Sequence, residues 1–130
     1  SKQKAPGVLL LLVHAGGKPL IAGKDTAADW LLQQAGGHNL ATHTGYKPFS
    51  VESLASLDPE VLVFADRALT GEAAKAALFK ENPILNSSRA AKTGRVLELD
   101  PTLLVGGLGP RLPAALKTLS DGFYPASSGQ

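Results

Sequence analysis

Two uninterrupted apolar runs constrain this chain more than any other feature: Gly7 to Val13, GVLLLLV, and Val61 to Ala65, VLVFA. Neither alternates polar with apolar residues, so neither suits a strand with one face in water. Runs of this length and composition, closed by His14 in one case and by Asp66-Arg67 in the other, predict strands buried on both faces. Such strands belong to sheets covered by helices above and below.

The stretches between and after these runs carry the helices that such a sheet requires. Asp25 is placed to cap a helix running through Trp30-Leu31-Leu32, all three read as core, to Ala35, and Gly36-Gly37 ends it. Ser50 caps a second helix, with Glu52 in its first turn and Val51, Leu54 and Leu57 spaced for one face; Asp58-Pro59 stops it. Gly71 to Glu81 reads as a third helix, and a short helical piece lies around Ser87 to Lys92. Pro110-Arg111-Leu112-Pro113 opens a terminal helix through Leu119, and Tyr124 to Gln130 reads as a frayed tail. Leu20-Ile21-Ala22 is a short strand candidate. Val96 to Leu99 is another, closed by Asp100-Pro101, while Gly45 to Phe49 reads as a loop and Thr102 to Gly109 has no clear local preference. Strands alternating with helices predict an α/β fold, a three-layer arrangement with a mostly parallel sheet flanked by helices. The chain has 130 residues, 44% hydrophobic and 18% charged, which suits a single domain spanning residues 1–130.

Composition narrows function mainly by exclusion. There is no cysteine, so disulfides, thiolate metal sites and cysteine nucleophiles are out. The net charge of +2, without a basic run, gives no footprint for nucleic acid. The run Val8 to Val13 is too short to span a bilayer, and no signal peptide is visible before it. Neither the dinucleotide pattern G-x-G-x-x-G nor a P-loop occurs, and no nucleophile elbow is present. The reading is therefore a binding protein and not an enzyme.

In sheets of this type ligands bind beyond the carboxyl ends of the strands. That rim would collect His14, Arg67 and Arg111, with Tyr46 and Lys47 nearby. His14 can ligate a metal or haem iron, or simply close a strand end. Tyr46 can stack on a flat ligand, offer its phenol oxygen to iron, or merely cover a helix end. Lys47 and Arg67 fit either an anion site or a solvated surface. Arg111, fixed between two prolines at a helix start, suits recognition of a carboxylate. His38 and His43 lack the spacing of a helical zinc pair.

These residues also carry a family resemblance. The blocks are Leu9-Leu10-Leu11-Leu12-Val13-His14-Ala15-Gly16-Gly17, Ala22-Gly23-Lys24-Asp25-Thr26-Ala27-Ala28-Asp29, Ala35-Gly36-Gly37-His38-Asn39, Gly45-Tyr46-Lys47-Pro48-Phe49-Ser50-Val51-Glu52-Ser53-Leu54, Asp58-Pro59-Glu60-Val61-Leu62-Val63 and Gly107-Leu108-Gly109-Pro110-Arg111-Leu112-Pro113. In this order the chain resembles the C-terminal lobe of a bacterial haem-transporter substrate-binding protein, the two-lobed periplasmic type joined by one long helix. The resemblance implies haem as transported ligand, a periplasmic location, an ABC-transporter permease as partner, and no catalysis. It implies that Tyr46, Lys47 and Arg111 face the ligand cleft, Arg111 able to pair with a propionate or a ligating phenolate and Lys47 or Arg67 assisting with propionates. The principal iron ligand, usually a tyrosine, would come from the N-terminal lobe, with His14 or Tyr46 as a further ligand from this one. Glu52 would dock on the permease. It also implies that the N-terminal lobe is absent from residues 1–130, leaving an apolar cleft wall open to self-association. A siderophore- or cobalamin-binding lobe, or a module mainly for permease docking, are the alternatives.

Overall fold

The computed structural model describes residues 4–14, 18–105, 109 and 111–125. The two apolar runs form strands β1 (Gly7–Val13) and β5 (Val61–Asp66), which lie side by side in parallel from Val8↔Val61 to Val13↔Asp66. Their alternate side chains feed two cores. Leu10, Leu12, Val61, Val63 and Ala65 pack on one face of the sheet, while Leu9, Leu11, Leu62 and Phe64 pack on the other. Leu9, Leu10, Leu11 and Leu62 are fully buried, each contributing roughly 1.5–3 kcal/mol.

Strand β6 (Val96–Glu98) adds in parallel to β5, and β3 (His38–Asn39) pairs in parallel with the start of β1. On the same side as β3, the end of β1 takes β2 (Leu20–Ala22) in antiparallel sense, and β2 in turn pairs with β4 (Tyr46–Pro48). The order is β4-β2-β1-β5-β6. Helices α1 (Ala27–Gln34) and α5 (Leu112–Phe123) cover one face, and α2 (Val51–Leu57), α3 (Gly71–Glu81) and α4 (Arg89–Lys92) cover the other. The expected three-layer α/β arrangement is thus present.

Several local expectations are corrected. Trp30 is 45% exposed, because Ala28, Leu31, Leu32 and Ala35 form the stripe that meets the sheet and Trp30 points off it. The cap of α1 is Thr26, whose hydroxyl accepts from Asp29 N–H at 3.0 Å; Asp25 lies at φ 62, a left-handed turn incompatible with a cap. Val51 is 53% exposed, so α2 packs through Leu54 and Leu57 alone. The segment Gly45 to Phe49, read as a loop, contains the edge strand β4. Tyr124 is anchored, its hydroxyl donating to the Gly36 carbonyl at 2.6 Å. Residues 126–130 of the expected tail, the glycines at 16, 17, 106 and 107, and Pro110 lie outside the described residues.

Other expectations match. The Ser50 hydroxyl accepts from Ser53 N–H at 3.1 Å, and α2 ends at Asp58 in the left-handed region, φ 44, immediately before Pro59. Helix α3 has the predicted limits. Thr102 to Leu104 belong to a short 3-10 turn, Pro101–Leu104, capped by Asp100.

Candidate functional site

The parallel register brings the ends of β1 and β5 together, and the candidate residues gather there. Arg67 N–H donates to the Val13 carbonyl at 3.2 Å, extending the ladder by one residue, so His14 and Arg67 leave the sheet as neighbours. The loop after β5 is held by Asp66. Its buried carboxylate accepts from Ala68 N–H at 2.7 Å and Leu69 N–H at 3.0 Å, a turn that needs no other residue.

His14 is half-buried and lines a pocket of about 480 Å³ with Lys18, Asp66, Leu69, Leu78 and Glu81. The last turn of α3 forms its far wall. The pocket mixes apolar walls with charges of both signs, a combination that holds an amphipathic ligand better than a simple anion.

Tyr46 lies on β4 opposite Ala22, at the edge of the sheet, and is 37% exposed. Burial raises its phenol pKa above the ordinary tyrosine value. The nearby Thr26 hydroxyl and the charge of Arg67 oppose that shift without cancelling it. The phenol is therefore neutral at physiological pH, fit for stacking and hydrogen bonding, and it must lose a proton before it can bind iron as phenolate.

Lys47 is not brought together with Tyr46. Successive residues on a strand point to opposite faces, and the partners of these two show which: Ala22 belongs to the α1–α5 core, Ile21 to the α2–α3 core. Lys47 is exposed on the α2–α3 side.

Arg111 stands just before α5 on the opposite flank of the rim. Its guanidinium donates to Asp100 Oδ2 at 2.8 Å from Nη1 and to Thr102 Oγ1 at 3.0 Å from Nη2. In the sequence Asp100 marks only the end of a strand. Nothing in the spacing from Asp100 to Arg111 marks them as a pair. Glu52 is exposed in the first turn of α2, below the Ser50 cap. His43, in the connection before β4, places Nε2 at 3.2 Å from the Ile21 carbonyl. Among the described residues no group of three His, Asp or Glu side chains is arranged to hold a metal ion.

Haem iron needs only one or two protein ligands, so the test of fit is the donor set at the rim. The imidazole of His14 and the phenol of Tyr46 are donor types that haem iron accepts, and Arg67 and Arg111 are guanidinium groups able to meet a carboxylate, although Arg111 is already paired with Asp100.

Comparison with known proteins places these features in context. The family model described as periplasmic binding protein matches residues 1–103. A solved periplasmic heme-binding protein from Pseudomonas aeruginosa is 62% identical, with a TM-score of 0.90, over 96% of this chain and 45% of its own. The periplasmic heme-binding protein HutB of Vibrio cholerae is 31% identical with a TM-score of 0.82, over 95% of this chain and 49% of its own. Among curated proteins, a cobalamin-binding protein of Halobacterium salinarum is 28% identical over 79% of this chain and 29% of its own length. The chain therefore spans about half, or less, of the relatives it matches.

Proposed function

The chain belongs to the periplasmic binding protein family, and from that premise we propose that it is the haem-binding C-terminal lobe of an ABC-importer substrate-binding protein. It works in the periplasm, capturing haem and handing it to the permease without chemical change. The observation that carries this reading is the 62% identity to the Pseudomonas heme-binding protein across 96% of the chain. In the proposed arrangement residues 1–130 form one lobe, and a further lobe of the parent supplies the opposite wall of the cleft.

The porphyrin lies over the ends of β1 and β5, against apolar rim surface and the ring of Tyr46. Arg111 and Arg67 receive the propionates, with Lys47 in a lesser role because of its position on the other face. His14 or, after deprotonation, Tyr46 meets the iron. Titration with haemin, followed at the Soret band, is expected to saturate. His14→Ala or Tyr46→Phe should alter the bound spectrum, whichever removes the iron ligand, and Arg111→Gln should weaken binding while preserving the spectrum. A wild-type chain without a saturable Soret change sinks the assignment.

The 28% identity to the cobalamin-binding protein favours a second reading, a cobalamin lobe. Competition between haemin and cobalamin decides between them. Glu52, exposed on α2, is the proposed contact with a basic pocket on the permease. Glu52→Lys in the parent should abolish uptake and leave the haemin titration intact; a parallel loss of haemin binding would argue against docking. The exposed rim of the isolated lobe is expected to self-associate, visible as concentration-dependent sedimentation.

A further inference from the structure

Asp100, Thr102 and Arg111 form a closed ring of hydrogen bonds at the rim. Asp100 Oδ1 accepts from the Thr102 hydroxyl at 2.7 Å and from Thr102 N–H at 2.9 Å. The same hydroxyl oxygen accepts from Arg111 Nη2 at 3.0 Å, and Asp100 Oδ2 accepts from Arg111 Nη1 at 2.8 Å. Every donor in the ring has one acceptor. Asp100 is itself fixed, because it caps the 3-10 turn that follows β6.

An arginine with 68% of its side chain exposed would ordinarily sample many rotamers, and holding it still costs entropy when a ligand arrives. Here that ordering is already done within the protein. Both bonds go to the Nη end of the guanidinium, so the Nε edge lies outside the ring. That edge is a planar pair of donors suited to a carboxylate.

We propose that Thr102 and Asp100 are positioning residues, which hold Arg111 by its Nη end and present its Nε edge to a carboxylate of the ligand. The proposal rests on the haem reading above and specifies how its propionate contact is oriented. Thr102 is the clean probe, because it is exposed and its replacement changes no charge, whereas an Asp100 variant would also alter the field on the ligand.

The experiment compares haemin with its dimethyl ester, which lacks free carboxylates, by Soret titration of the chain. Thr102→Val is expected to weaken haemin binding about two- to fivefold and to leave the ester unchanged. Thr102→Ser should restore wild-type affinity. In an Arg111→Gln background, Thr102→Val should add nothing. The proposal is overturned if Thr102→Val has no effect on haemin, weakens haemin and ester equally, or keeps its effect without Arg111. A wild-type chain that binds neither compound would instead overturn the haem reading on which the proposal depends.

Discussion

The central pair β1–β5 and the edge pair β2–β4 both place candidate ligand-binding residues, but with very different security. The central pair runs six residues in register, every one of them buried in β5, with helices on both faces. It sets His14 and Arg67 in position as a consequence of packing. The edge pair has three residues in register, and β4 is exposed throughout. It is held instead by backbone bonds at a tight crossing: Gly23 N–H to the Gly45 carbonyl at 2.8 Å, Lys24 N–H to the His43 carbonyl at 2.7 Å, and Gly45 N–H to the Lys24 carbonyl at 2.9 Å. Asn39 adds side-chain bonds to the Ala22 carbonyl and to Asp29, fastening β2 to α1. The difference implies that Tyr46 can be displaced without unfolding the lobe, whereas His14 and Arg67 cannot.

The largest effect expected lies in the centre. Leu62→Ala removes a fully buried side chain between the sheet and the α3 layer, and should cost about 2–5 kcal/mol in denaturant unfolding. If it costs no more than an edge substitution, the contrast fails.

Gly23→Ala tests the edge. A Cβ there would collide with the His43 carbonyl oxygen and imidazole, and the backbone must part to admit it. The expected loss is about 1–3 kcal/mol, with hydrogen exchange accelerated in β2 and β4 while β1 and β5 keep their protection. Uniform acceleration across the sheet would show that the edge is not an independent unit.

The smallest effect sharpens the position of Tyr46. Its folded-state pKa is raised, mainly by burial, so its neutral form contributes stability that is complete below the ordinary tyrosine range and lost as pH rises through the raised value. Tyrosinate absorbance should therefore show a late-titrating phase that disappears in Tyr46→Phe. Titration at the ordinary value would mean that β4 does not hold the ring against α1. In the proposed haem complex, ligation by this phenol should strengthen with rising pH, because the phenol must lose its proton to bind iron.

The same contrast governs what could be read in advance. Strands β1 and β5 were legible because burial on both faces leaves an uninterrupted apolar record in the sequence. Helix α3 and the Ser50 cap were legible because caps and helix stops are local chemistry. Strand β4 left no such record: Tyr46, Lys47 and Pro48 have no apolar pattern, and their extended form comes from pairing with β2. For that reason Tyr46 and Lys47, adjacent in sequence, seemed to share one role, although the strand sends them to opposite faces.

By itself, then, the sequence determined the layer architecture, the strand ends that carry His14 and Arg67, and the family to which the chain is similar. The first two follow from hydrophobic periodicity and short-range capping, which act within one element, and the third rests on the order of the sequence blocks that carry the resemblance. Only the tertiary structure decided that Trp30 faces solvent, that Thr26 and Arg67 share the surroundings of Tyr46, and that Asp100 and Thr102 hold Arg111. Each of these depends on how two elements meet, and the energy of that meeting is spread over packing that no single segment contains.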